Sequence, residues 1–172
     1  MLNAMIIILS ALASLLSVAV GDGDFRITFG IVILISGLHL FKPKHPILLA
    51  LATGFAISLL RIFVDSMSMD MTASIASSYL LEIVYYVTYA FLYNWAITTN
   101  TSPYPLPIVV ALVLCDVGSN TVEFALRYLA ADTIWATTSF YSIFVAAFVR
   151  SVLIVLIVWL FENLVTRRRK EA

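Results

Sequence analysis

Six apolar stretches alternate with short polar segments along this chain. They cover residues 2–20, 25–41, 46–64, 73–97, 107–129 and 137–161. A helix needs about 20 apolar residues to cross a bilayer, so most of these stretches are long enough to span one. The segments between them are rich in turn formers, including a Gly-Asp repeat at 21–24 and three prolines within 100–107. The pattern predicts an all-α integral membrane protein, a six-transmembrane-helix bundle that forms a single domain over residues 1–172.

Composition agrees with a membrane protein, since 62% of the 172 residues are hydrophobic and only 12% are charged. Six spans of about 20 residues each leave no room for a soluble domain. A single cysteine, Cys115, excludes a disulfide framework. The formal net charge is zero, so the chain as a whole has no signature of nucleic-acid binding.

The orientation follows from the basic residues in the short loops. Lys42 and Lys44 follow the second stretch, and four basic residues lie in the tail at 162–172. Such residues favour the cytoplasmic side, so both termini are expected in the cytoplasm. The first stretch has no Lys or Arg ahead of it, so we expect a mature helix there, not a cleaved signal peptide.

The fifth stretch carries four polar residues on one helical face, because they are spaced four, three and four residues apart. They are Asp116, Asn120, Glu123 and Arg127. A charged side chain at the bilayer centre costs at least ~2.5 kcal/mol. The stripe is therefore expected to face protein or water.

Three further charged residues lie inside the stretches and away from their first residues, namely Arg61, Glu82 and Arg150. Together with the fifth stretch they give three acids and three arginines, which allows two interpretations. In one, interhelical ion pairs fix the packing. In the other, which we favour because six such residues exceed what packing needs, some of them line a cavity for a small solute.

Aromatic residues extend the polar face of the fourth stretch, where Tyr86, Tyr89 and Tyr93 follow Glu82 at helical spacing. Deeply placed tyrosines suit stacking on a flat heterocycle, so Tyr86 and Tyr89 join the candidate site. An interfacial aromatic belt is the alternative, and it accounts well for Tyr79, Tyr93 and Trp95.

The first stretch has no charge and carries a small-residue stripe of Ser10, Ala13, Ser14 and Ser17. Small residues let another helix approach closely. The stripe is a candidate docking face for a partner, with packing inside the chain as the default alternative.

Catalysis has little support in the sequence. There is no zinc-protease helix motif, no nucleophile elbow and no phosphate-binding glycine loop. We therefore expect no catalytic residues, no cofactor and no metal site. Asp116 and Glu123 would suit a proton relay, but three arginines beside them favour charge compensation for a ligand.

The first half of the chain resembles the S-components of energy-coupling factor (ECF) transporters. The likeness rests on Asp24-Phe25-Arg26-Ile27-Thr28-Phe29-Gly30, on Leu40-Phe41-Lys42-Pro43, and on a Gly54-containing helix that ends Arg61-Ile62-Phe63-Val64-Asp65. The usual glycine-proline of the family is Lys42-Pro43 here. The resemblance implies a six-helix subunit in a bacterial inner membrane that binds a vitamin-like solute and is energised by a separate scaffold with ATPase subunits.

The second half is similar to the S-component-like membrane sensor region of some Firmicutes histidine kinases. The segments concerned are Asp116-Val117-Gly118-Ser119-Asn120-Thr121-Val122-Glu123-Phe124-Ala125-Leu126-Arg127 and Ala147-Phe148-Val149-Arg150-Ser151. This likeness implies a ligand sensor that acts with a signalling kinase. In size and helix count alone the chain also resembles the rod-shape-determining membrane subunit of the cell-wall elongation machinery.

The sequence therefore predicts an S-component-like bundle that captures a small organic solute from the outer side. The lipid bilayer, the solute and either an uptake scaffold or a kinase are its expected partners. The candidate ligand-binding residues are Arg26, Arg61, Glu82, Tyr86, Tyr89, Asp116, Asn120, Glu123, Arg127 and Arg150.

Overall fold

The computed structural model describes residues 1–19, 26–67, 72–100, 106–130 and 140–171. Within these ranges the chain is predominantly helical, which confirms the all-α prediction apart from one short hairpin. The six helices are α1 Leu2–Ser14, α2 Gly30–Phe41, α3 Pro46–Ser66, α4 Ala73–Tyr93, α5 Ile108–Leu129 and α6 Phe140–Glu171.

Four segments are long and apolar enough to cross a membrane, namely Pro46–Ser66, Ile75–Thr98, Ile108–Leu129 and Tyr141–Val165. The helices α1 and α2 are also apolar but shorter. With about 1.5 Å of rise per residue, their 13 and 12 residues reach only ~20 and ~18 Å. Their lengths alone do not cover the ~30 Å of a hydrocarbon core.

The predicted first span is wrong at its C-terminal end and the predicted second span at its N-terminal end, because neither end is helical in the described residues. Strands β1 Ser17–Ala19 and β2 Arg26–Thr28 stand there and pair antiparallel, with Val18 opposite Ile27. β-branched residues favour strands, and the intervening Gly-Asp sequence is typical of a hairpin turn. Residues 20–25 lie outside the described ranges.

The predicted fourth span, 73–97, agrees with the structure to within one residue, whereas the predicted end of the sixth does not. The helix α4 continues into a π-helical segment, Asn94–Thr98, in which the Thr99 amide donates to the Asn94 carbonyl at 2.9 Å. The helix α6 does not end at residue 161 but runs on through the basic tail to Glu171.

Helix α4 lies between α3 and α5, and α6 packs on α5 and α2, while α1 packs on α2 and α3. We call the end of the bundle that carries β1 and β2 the hairpin end. Ile27 of β2 packs there on Ile143 and Ala146 of α6. The opposite end, where Lys42 and Lys44 lie, is the basic end.

Close packing between α1 and α2 depends on Gly30. A Cβ atom at this position would lie 2.9 Å from the Ser10 carbonyl oxygen and 3.0 Å from the Ser14 Cβ atom. A backbone oxygen cannot move aside cheaply, so only glycine permits this approach.

Candidate functional site

A stripe of polar side chains runs along the inner face of α4 from the hairpin end to the basic end. Its members recur at three- and four-residue intervals, which places them on one helical face. Each has a partner on another helix. The stripe consists of Ser78, Glu82, Tyr85, Tyr89 and Tyr93.

The first ion pair joins α3 to α4. Arg61 donates from Nη1 to both carboxylate oxygens of Glu82, each at 2.7 Å. Its Nη2 atom donates to the Ser14 carbonyl at 3.1 Å. This guanidinium therefore satisfies one of the free carbonyls at the C-terminus of α1 as well as the carboxylate. The side chains are 15% and 20% exposed, which makes this pair the most accessible of the three.

The second ion pair lies within α5 and is tied to α4. Arg127 donates to Glu123 Oε1 from Nε at 3.0 Å and from Nη2 at 2.7 Å. It also donates to the Ser78 carbonyl at 3.0 Å and to the Ser78 hydroxyl. Both charged side chains are only 3% exposed. Arg127 thus links two helices through charge-assisted hydrogen bonds.

The third ion pair joins α5 to α6 in the interior of the bundle. Arg150 Nη2 lies 3.0 Å from Asp116 Oδ1, and the two side chains are 3% and 0% exposed. Asn120 Nδ2 donates to the same carboxylate at 2.6 Å, and the Tyr85 hydroxyl donates to it at 3.2 Å. The Arg150 guanidinium also lies 5.4 Å from the centre of the Tyr85 ring, in cation–π range.

These pairs bring together seven of the ten predicted ligand-binding residues and leave the set electrically neutral. Each predicted acid contacts a predicted arginine. A buried charge without a partner is very costly, whereas a hydrogen-bonded pair is tolerated. The geometry therefore explains how the charges enter an apolar bundle, and it leaves Arg61 and Glu82 nearest to solvent.

The tyrosines form a contiguous aromatic cluster beside the third pair. The Tyr85 ring makes edge-to-face contacts with Tyr86 at 5.4 Å and with Tyr89 at 6.0 Å. The Tyr89 hydroxyl donates to the Leu112 carbonyl at 3.2 Å. Tyr86 and Tyr89 are fully buried, so a solute reaches their faces only if side chains around them move.

The interfacial-belt interpretation is wrong for Tyr93 and fits Trp95. Tyr93 is only 4% exposed, and its hydroxyl shares a 2.8 Å hydrogen bond with His39 Nδ1 on α2. Trp95 is 67% exposed, as a belt residue should be. The Tyr79 hydroxyl donates to Asp65, which gives this residue a specific partner on α3.

The predicted docking stripe on the first helix lies largely inside the bundle. Ser10 and Ser14 are buried against Gly30, and Ala13 is half-buried. Ser17 belongs to β1 and is exposed. The face that the two buried serines form is thus covered by α2 within the chain.

Arg26 takes part in β2 through its backbone, but its side chain lies outside the described residues. Tyr85 and Ser78 were missing from the predicted site. Both stand on the α4 face of Glu82, at intervals of three and four residues, so helical spacing alone would have found them. In the described part of the chain, no group of three metal-ligating side chains could hold a metal ion.

No protein-family model, characterised protein or solved structure matches this chain.

Proposed function

We propose that this protein binds a small organic solute inside the membrane, in the manner of an ECF transporter S-component. The observation that carries the proposal is the α4-centred set of three ion pairs and its tyrosine cluster. Replacing a buried ion pair by well-packed apolar residues is often neutral or stabilising. Three such pairs are thus more than stability requires, and intramembrane ionisable residues commonly mark a functional site.

The same proposal includes six membrane crossings in a bacterial inner membrane, with the basic end in the cytoplasm. The α1 helix rises ~20 Å, and strand β1 with the residues that precede it adds roughly 10–15 Å. Together they match a hydrocarbon core of ~30 Å. A non-helical segment is tolerated at this depth where its backbone groups are hydrogen-bonded and protein surrounds it. The β1 backbone pairs with β2, and β2 packs on α6.

The proposed entry point is the Arg61–Glu82 pair at the hairpin end. A carboxylate on the solute would take the place of Glu82 on the Arg61 guanidinium, because Arg61 Nη1 contacts both carboxylate oxygens there and is held in place by the bond from Nη2 to the Ser14 carbonyl. The displaced Glu82 carboxylate would then accept from an amine or ring nitrogen of the same solute. This exchange keeps every buried charge paired.

The experiment is native mass spectrometry of the full chain purified in mild detergent, which weighs any solute that co-purifies. We expect a bound species in the unaltered chain that is lost from Arg61→Ala and from Arg127→Ala. The matched control is Lys44→Ala, which removes an exposed cation at the opposite end and should keep the solute. Equal occupancy in all four proteins would contradict the proposal.

A sensing role is the second candidate, and the continuity of α6 favours it. The apolar span ends at Val165, yet the same helix runs without a break to Glu171. Arg150 of the third ion pair lies on this helix. A change at that pair would therefore be transmitted along a rigid element toward a signalling kinase at the basic end.

Affinity purification from native membranes separates the two candidates. Co-purification of a membrane scaffold with paired ATPases would support uptake. Co-purification of a histidine kinase would support sensing. In both cases solute binding remains the shared function, and the native-mass experiment tests it separately.

A further inference from the structure

A cavity with a mainly apolar lining and a few polar side chains lies at the basic end, away from the three ion pairs. It has a volume of about 250 Å³ and opens between the C-terminus of α2, the N-terminus of α3 and the π-helical segment. Since one water occupies ~30 Å³ of liquid, the space equals about eight waters. It is lined by Leu38, His39, Lys42, Pro43, Pro46, Tyr93, Asn94, Ile97 and Thr98.

The polar lining of this cavity is rich in donors and has no acidic side chain among the lining residues that the structure describes. Lys42 supplies a cation, while Asn94 and Thr98 supply an amide and a hydroxyl. His39 is held by the Tyr93 hydroxyl through Nδ1 at 2.8 Å. When that hydroxyl donates, the other ring nitrogen carries the proton and is itself a donor.

The N-terminus of α3 adds to this positive character, and the Lys42 cation offsets the partial negative charge of the α2 C-terminus. Pro46 in the first turn of α3 lines the cavity, this turn has no acidic residue, and the N-cap residue His45 makes no side-chain cap hydrogen bond. The helix dipole at such an end favours an anion. The π-helical segment presents both Asn94 and Thr98 to the cavity, and π-turns frequently occur at functional sites.

Lys42 adopts a backbone conformation that suits glycine much better. Its φ of 43° and ψ of 59° lie in the left-handed region, and it is the one described non-glycine residue with positive φ. For a lysine this conformation carries a steric cost, and such costs cluster at functional sites. A glycine at position 42 would end α2 more comfortably, but it would remove the cation from the cavity.

We propose that this cavity is a binding site for a phosphate-type oxyanion, held by Lys42, His39, Asn94 and Thr98. Its volume suits a phosphate group with a small substituent and not a vitamin-sized molecule. The phosphate comes either from an anionic phospholipid headgroup or from a soluble phosphate compound. This inference goes beyond the proposed solute site and does not depend on it, because no residue of the three ion pairs lines the cavity.

The test compares Lys42→Gly with Lys44→Gly in the full chain in neutral detergent. Both variants remove one cation from the same loop, but Lys44 does not line the cavity. One arm measures the thermal shift with inorganic phosphate against chloride at equal ionic strength. The other measures binding of phosphatidylglycerol, with phosphatidylcholine as the neutral reference, by native mass spectrometry.

We expect Lys42→Gly to melt at a higher temperature than the unaltered chain, because glycine relieves the left-handed strain. It should nevertheless lose at least tenfold in affinity for the phosphate probe, while Lys44→Gly keeps its affinity. Binding of inorganic phosphate would identify a soluble ligand, and binding of phosphatidylglycerol alone would identify a lipid. The proposal is overturned if neither probe binds, or if Lys42→Gly binds as well as Lys44→Gly.

Discussion

Individual charged residues in this bundle are stable only as members of pairs. Asp116 and Arg150 are essentially inaccessible, and their 3.0 Å contact neutralises both. The effective penalty for burying an ion is several kcal/mol, so either residue alone would be a liability. Replacing both members of such a pair by apolar residues is often neutral or stabilising, whereas removing one member is strongly destabilising.

Removing one member of this pair should be far worse than removing both. We expect Arg150→Met to lower the free energy of unfolding by about 3–5 kcal/mol, because Asp116 is left buried without its cation. The double variant Arg150→Met with Asp116→Leu should recover most of that loss. Reversible unfolding in detergent measures both, and a double variant as unstable as the single one would refute the pairing.

Glu123 offers a milder test on the same principle. We expect Glu123→Gln to keep the shape of the side chain but to weaken the two hydrogen bonds from Arg127, at a cost of about 1.5–3 kcal/mol. Thr121→Ala is the control, since it alters an exposed residue on the same helix. A melting temperature for Glu123→Gln equal to that of the control would show that Arg127 relies on Ser78 instead.

At the scale of the elements, the contact between α1 and α2 decides how the hairpin is placed. We expect Gly30→Ala to destabilise the protein by about 1–3 kcal/mol, because its Cβ meets the Ser10 carbonyl at 2.9 Å. Gly118→Ala is the matched control, since its Cβ meets only the flexible Leu92 Cδ1 atom at 3.0 Å. Parallel thermal melts check the difference, and equal losses would mean that α1 and α2 separate freely.

The helices were predictable from sequence because apolar runs and their interruptions report on local structure. The stripes on α4 and α5 followed from helical spacing, and four long spans were found within a few residues. The hairpin was missed because a stretch of only four residues, Leu-Ser-Val-Ala at 16–19, fits a helix end and a strand equally well. Its pairing is a contact between segments, which periodicity within one segment does not contain.

The ion-pair partners were not predictable for a related reason. Spacing gives Glu123 and Arg127 as neighbours, but Arg61 meets Glu82 only because α3 packs on α4. The burial of Tyr93 has the same origin, since its partner His39 comes from α2. A tyrosine near a span end is ambiguous until the neighbouring helix is known.

At the scale of the whole molecule, the polar stripe and the cavity at the basic end share α4 as their common element. Ser78 and Tyr93 mark the two ends of the stripe, and Tyr93 also lines the cavity. With about 1.5 Å of rise per residue, the stripe extends over ~22 Å. One helix therefore carries both the proposed solute site and the proposed phosphate site, at opposite ends of the bundle.

The two proposed sites lie on opposite sides of the membrane only if the two ends of the bundle do. Cysteine labelling tests this orientation. In a Cys115→Ser background, we expect Met67→Cys and Val18→Cys to react with an impermeant maleimide in intact cells. Lys44→Cys should react only after permeabilisation, because basic loops stay in the cytoplasm. Met67 and Val18 are 72% and 54% exposed and lie at the hairpin end.

The Val18 position also decides whether the first segment crosses the bilayer. If α1 and β1 together span the ~30 Å core, label reaches position 18 from the same side as position 67. If α1 instead ends inside the core at its ~20 Å length, position 18 stays unlabelled while position 67 reacts. Labelling of position 44 in intact cells would reverse the orientation and place the solute site on the cytoplasmic side.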